Sequence, residues 1–120
     1  MKIAVSSQGA EMTSRVDPRF GRAQYFIIVD TSNDEVKVIE NTQNLNAAQG
    51  AGIQSAQNVV RENVDMVISG NLGPKAFATL TAAGIKTAQW AEGTVEEAVQ
   101  LAKDNKIQIS DSSNVEGHWM

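Results

Sequence analysis

One hundred and twenty residues, 42% of them hydrophobic and 20% charged, make a chain of single-domain size with too much apolar content to stay disordered. A formal charge of -4 argues against a nucleic-acid surface, which needs a broad basic face. Cysteine is absent, so disulfides, thiolate metal sites and cysteine nucleophiles are excluded together.

The opening Met1-Lys2-Ile3-Ala4-Val5 gives way at once to polar residues. It lacks the apolar stretch and cleavage site of a signal peptide. No apolar run approaches the roughly 20 residues that cross a bilayer. A cytoplasmic protein is expected. Lys2 to Ser6 reads as a first strand, and a polar loop runs from Ser7 to about Arg19. Gln24 to Asp30 is almost continuously apolar, as in a strand buried on both faces. Thr31 to Asp34 is a turn whose Asn and Asp side chains can bond nearby backbone. Glu35 to Glu40 pairs back as a hairpin strand.

Asn41 to Gln49 is a polar loop that ends at Gly50-Ala51-Gly52. Ile53, Ala56, Val59 and Val60 recur at helical spacing, which predicts a helix to about Glu62. Val64 to Ser69 is a short strand. Gly70-Asn71-Leu72-Gly73-Pro74 turns into a second helix, with Pro where its missing N–H costs nothing. Ala76, Phe77, Leu80 and Ala83 form that helix's apolar face, and Gly84 closes it. Ile85 to Trp90 is the last predicted strand. Thr94-Val95-Glu96-Glu97 is a capping box that starts a third helix, with Val95, Ala98, Val99 and Ala102 inward. The order β-β-β-α-β-α-β-α predicts a mixed five-stranded sheet with helices on both faces. One domain spans residues 1–107, and residues 108–120 are expected to be a polar, flexible tail.

Three of the ten basic residues lie in the eight-residue stretch Arg15-Val16-Asp17-Pro18-Arg19-Phe20-Gly21-Arg22. Such concentrated charge on an acidic chain fits a small-anion site. Guanidinium brings a diffuse, permanent charge with several donors, and Gly21 lets backbone approach closely. The turn before the second helix adds amides at a helix N-terminus, which attract anions. Ligands favour the crevice at the carboxyl ends of strands in such sheets, where both loops are expected. The competing reading pairs Arg19 or Arg22 with Asp17 or surface carboxylates, contacts worth about 0.2–1 kcal/mol each. The residues alone leave the two open.

The segments Met1 to Gly9, Asp17-Pro18-Arg19-Phe20-Gly21-Arg22-Ala23, Gly50-Ala51-Gly52, Gly70-Asn71-Leu72-Gly73-Pro74-Lys75-Ala76-Phe77 and Ala83-Gly84-Ile85-Lys86 stand in this order. Through them the chain resembles the dinitrogenase iron–molybdenum cofactor biosynthesis family. The likeness runs to about Asp104. It implies a ribonuclease H-like fold, a three-layer α/β/α sandwich. It also implies non-enzymatic binding, carriage or storage of an anionic metal–sulfur cluster. Many relatives carry histidine where Arg19 stands, and nitrogenase carriers often form part of longer chains. Both departures favour the small stand-alone members, for which the resemblance implies a molybdenum–copper sulfide cluster held without covalent ligation. On that footing the cluster-binding residues are Arg15, Arg19, Phe20, Gly21, Arg22, Asn71, Leu72, Gly73 and Lys75. Met12, in the basic loop, is the candidate soft ligand to copper or an apolar lid.

No histidine base stands near Ser6 or Ser7 in sequence, so no nucleophilic triad is read. Nucleases of ribonuclease H-like fold need convergent carboxylates on the first strands, where this chain has Lys2, Ser6 and Asp30. The expected partners are the cluster and a cytoplasmic protein complex, with no nucleic acid or membrane, and a monomer is expected. The alternative function is a regulatory module that docks an acidic protein through the basic loop and the tail with His118 and Trp119.

Overall fold

Side chains alternate across a strand, and this sorts the apolar residues of the chain into two separate cores. The computed structural model describes residues 1–43 and 50–110. Its strands are β1 (Lys2–Ser7), β2 (Tyr25–Asp30), β3 (Glu35–Glu40), β4 (Met66–Ser69), β5 (Lys86–Gln89) and β6 (Ile109–Ser110). Its α-helices are α1 (Ala51–Val60), α2 (Pro74–Ala82) and α3 (Val95–Lys103). Ala4, Phe26, Ile28 and Val67 face one side of the sheet. There they meet Ala56 and Val59 of α1 and Ala76 and Leu80 of α2. Ile3, Val5, Ile27, Val29, Met66, Ile68 and Ala88 face the other side, under Val95, Ala98, Val99 and Ala102 of α3. The result is the expected three-layer sandwich.

The strands lie in the order β3-β2-β1-β4-β5-β6. β1 pairs antiparallel with β2, and β2 with β3. β1, β4 and β5 run parallel. The hairpin turn is pinned by Asn33 as its sequence predicts, its side chain accepting from the Glu35 N–H at 3.0 Å. The acid that bonds backbone is not Asp34, which pairs with Lys103, but Asp30, which accepts from Ser32 N–H at 3.0 Å. Gly84 has φ +77°, the left-handed value that glycine tolerates, and ends α2.

The sheet has six strands where five were expected. Ile109 pairs with Ala88 and Ser110 with Thr87, antiparallel to β5. Two residues with a single apolar side chain carry no periodicity, so this strand comes from backbone pairing at an open edge. It takes up the first residues of the predicted tail. The remainder, with His118, Trp119 and Met120, lies outside the described residues.

The topology has one consequence for chemistry. β1, β3, β4 and β5 all end at the same edge of the sheet, because the hairpin reverses direction twice. α1, α2 and α3 follow β3, β4 and β5, so all three begin at that edge.

Candidate functional site

The loop between β1 and β2 does not hang free at that edge. It crosses it as a strap. Val16 pairs with Ser7, Arg15 pairs antiparallel with Thr94, and Arg19 pairs in parallel with Asn71. Asp17 N–H donates to the Ser6 carbonyl at 2.8 Å, and Val16 N–H to the Gly93 carbonyl at 3.0 Å. Val95 N–H donates to Ser14 and Glu96 N–H to Met12, each at 2.9 Å. Phe20 N–H reaches the Asn71 carbonyl at 3.2 Å. The loop is thus tied to the ends of β1 and β4 and to the start of α3, and Phe20–Arg22 follows as a single 3-10 turn.

Close approach makes the strap possible. A Cβ on Gly70 would stand 2.6 Å from Pro18 Cα and 2.8 Å from the Pro18 carbonyl oxygen. Only glycine lets the end of β4 lie so near the arginine segment. Gly21 is similar: a Cβ there would meet Gly52 N at 3.1 Å, so the 3-10 turn rests on the first turn of α1. The Gly21 carbonyl accepts from Gln43 Nε2 at 2.8 Å, and Gln43 also donates to the buried Ser55 hydroxyl at 3.0 Å.

Beneath the strap lies a buried polar hub. Ser6 and Ser69, neighbours on β1 and β4, are both fully buried. Their hydroxyls lie 2.8 Å apart, and the Asp17 carbonyl is 2.8 Å from Ser6 Oγ and 3.5 Å from Ser69 Oγ. Asp17 is itself 3% exposed. Its carboxylate accepts the Arg19 N–H at 2.8 Å, and Arg19 Nε stands 3.6 Å from the same oxygen. The pairing of Arg19 with Asp17 that the sequence allowed is therefore real. It leaves the Arg19 side chain 65% exposed.

The predicted residues separate into three groups. Arg19, Gly21, Arg22, Asn71, Gly73 and Lys75 lie at or near the surface of the edge where the strap meets the turn before α2. Phe20 and Leu72 are buried in the core beneath. Phe20 packs on Phe26 with ring centroids 5.2 Å apart. These two side chains anchor the loops and do not line their surface. Arg15 stands apart, beside the N-terminus of α3. There the Glu97 carboxylate is held below its ordinary range, first by Thr94 N–H at 2.8 Å, then by the Thr94 hydroxyl, and more weakly by the field of Arg15. Met12 is half-buried against the core on the α3 side, as are Trp90 and Ala91.

The helix starts differ in a useful way. α3 carries a complete capping box, and its first amides are already answered: Val95 and Glu96 N–H donate to the Ser14 and Met12 carbonyls, and Glu97 N–H to the Thr94 hydroxyl. α1 and α2 begin at Gly50 and Gly73 with no side-chain cap among the described residues. Their amide ends add positive potential beside Arg19, Arg22 and Lys75. Among the described residues no three His, Cys, Asp or Glu side chains gather as metal ligands. Charge and amide donors are what this edge offers an anion.

The Ser6–Ser69–Asp17 hub and the role of Gly70 were missed in the sequence. A serine at the carboxyl end of each of two apolar strands is the signal that was there to read. Gly70 carries no such signal, because its close neighbour, Pro18, is distant in the chain.

The sequence model of a family described as dinitrogenase iron-molybdenum cofactor matches residues 1–105. The high-resolution structure of the apo form of the orange protein from Desulfovibrio gigas superposes with a TM-score of 0.89 at 36% identity, covering 95% of this chain and 96% of that one. The NMR structure of a NifB-like protein of the DUF35 family from Thermotoga does so with a TM-score of 0.82 at 38% identity, covering 97% and 98%. An uncharacterized protein of Methanocaldococcus jannaschii is 32% identical over 111 residues, 90% of each chain.

Proposed function

The chain belongs to the dinitrogenase iron–molybdenum cofactor family, and from that premise we propose that it binds and carries an anionic metal–sulfur cluster without performing chemistry on it. A molybdenum–copper sulfide is the cargo we favour, held by charge and amides and not by covalent ligands. The observation that carries this reading is the pairing of Arg19 with Asn71. It joins the Asp17–Ala23 and Gly70–Phe77 segments, which the resemblance marks together, into one surface. Arg19, Arg22 and Lys75 supply cations to that surface, and the uncapped starts of α1 and α2 supply amides.

Several features support carriage over catalysis. The Ser6 hydroxyl is engaged by the Asp17 carbonyl and by Ser69. Sulfide-rich anions are large and weakly hydrated, so arginines and amides meet them with little desolvation cost. Half-buried Met12 and Trp90 place apolar surface near the edge, which suits a cargo that water attacks.

The test is a titration of the apo protein with tetrathiomolybdate, followed by amide shifts and visible absorbance. Saturable shifts at Arg19–Arg22 and Gly70–Lys75 are expected. Thiomolybdate that leaves both segments unmoved, or moves them only together with the whole surface, rejects the reading. Docking of an acidic protein on the same segments would favour the regulatory alternative.

A further inference from the structure

Asp17 has no place in the binding reading above, yet among the described residues it is the one charged side chain that is buried. A buried carboxylate is costly unless it is paired and hydrogen-bonded. Here its partners are one short backbone bond from Arg19 N–H and one long contact to Arg19 Nε. The peptide around it is fixed on both sides. Its N–H is held by Ser6 O, and its carbonyl by the Ser6 and Ser69 hydroxyls. The carboxylate itself is held by the Arg19 N–H and is buried, so it lies beneath the exposed guanidinium.

We propose that Asp17 is the specificity-determining residue of the edge: a fixed negative charge beneath Arg19 that turns away small, hard oxyanions. This rests on the reading of the edge as an anion site. The argument is one of distance. A guanidinium attracts any anion, but an anion that docks on Arg19 also meets the carboxylate behind it. Coulomb repulsion falls off inversely with separation. Phosphate and molybdate concentrate their charge on a few oxygens and must press against the donors, where the repulsion is steepest. A thio-anion spreads its charge over larger, softer atoms and holds its centre farther off. The carboxylate thus costs the oxyanion more than the thio-anion. It also leaves Arg19 most of its exposed surface for contact.

The experiment compares Asp17→Asn with the unaltered protein, titrated separately with inorganic phosphate and with tetrathiomolybdate. Asparagine keeps an oxygen to accept the Arg19 N–H, so the strap is retained while the charge is removed. Phosphate affinity should rise about tenfold in Asp17→Asn, against twofold or less for thiomolybdate. Asp17→Ser, which can also accept the Arg19 N–H, should show the same order and serves if the first variant folds poorly. Adding Arg19→Gln should abolish the gain, which a general loosening of the loop would not predict. Unchanged phosphate binding in both folded variants overturns the inference. So does an equal rise for the two anions. Failure of the unaltered protein to bind thiomolybdate would instead reject the cluster reading, because the phosphate arm tests Asp17 by itself.

Discussion

At the scale of single residues, exposure and pairing divide three arginines that look equivalent in the sequence. Arg19 stands over the junction of two loops, while Arg15 lies beside the Glu97 cap. Replacing Arg19 with Ala should weaken thiomolybdate uptake by about 1–3 kcal/mol, the worth of a charge-assisted contact. Arg15→Ala should cost clearly less. Absorbance titrations of the two variants decide this, and equal losses would put the site nearer α3. A second residue is informative for stability. Thr87 is 2% exposed, and its hydroxyl has no hydrogen-bond partner among the described residues. Thr87→Val keeps the shape and removes the unpaired group, so it should stabilise the fold by up to about 1 kcal/mol. A lowered melting temperature would reveal a partner for that hydroxyl.

At the scale of elements, the strap across the edge is the unit that counts. Gly70→Ala would force a methyl group against Pro18 backbone, at a cost of about 1–3 kcal/mol. It should weaken thiomolybdate uptake as well as lower the melting temperature, because the strap carries Arg19. Normal uptake by a destabilised Gly70→Ala protein would show that the strap and the site are independent. The α3 cap gives a pH test. Glu97 has its folded pKa lowered below the ordinary 4.5 by Thr94. Its contribution is complete above that ordinary value and is lost as pH falls through the lowered folded one. Thr94→Ala removes the hydroxyl but keeps the N–H that lowers the pKa most, so it should make this acid limb of the stability curve shallower only in part. Glu97→Gln should remove Glu97's share altogether, and a limb unaltered in that variant would assign the acid loss to other carboxylates. The three helices and five of the strands were legible because each carries its own period or cap, as in Val95, Ala98, Val99 and Ala102 of α3. The loops that compose the site were legible only as charge and glycine. Which arginine faces which partner depends on Ser6, Ser69 and Gly70, brought together by the parallel pairing of β1 with β4, and no local pattern encodes that. Phe20 and Leu72 show the converse. They sit among site residues in the sequence, but their side chains point into the core that local polarity gave no reason to expect there.

At the scale of the whole molecule, one sheet is shared by two cores, and its two edges are unequal. β3 closes one edge with six residues, of which Val36 and Val38 remain exposed, because α3 does not extend over them. Among the described residues the other edge is closed by β6 alone. Its two residues pair with β5, and Ile107 just before it packs against the core on the α3 side. This short segment covers β5. A chain ended after Asn105 should therefore melt below one ended after Ser110. Loss of two backbone pairs and a half-buried Ile corresponds to about 1–2 kcal/mol, and at this size each kcal/mol lowers the melting temperature by about 4 °C or more. Comparing those two lengths isolates residues 106–110 from everything after them. Thiomolybdate uptake below the melting transition should be the same for both lengths, since Arg19, Asn71 and Lys75 keep all their supports. If the shorter chain melts at the same temperature, β6 contributes nothing to the sheet it extends. If it binds more weakly while still folded, the edge strand is coupled to the anion surface through β5, and the division drawn here between a stabilising edge and a binding edge is wrong.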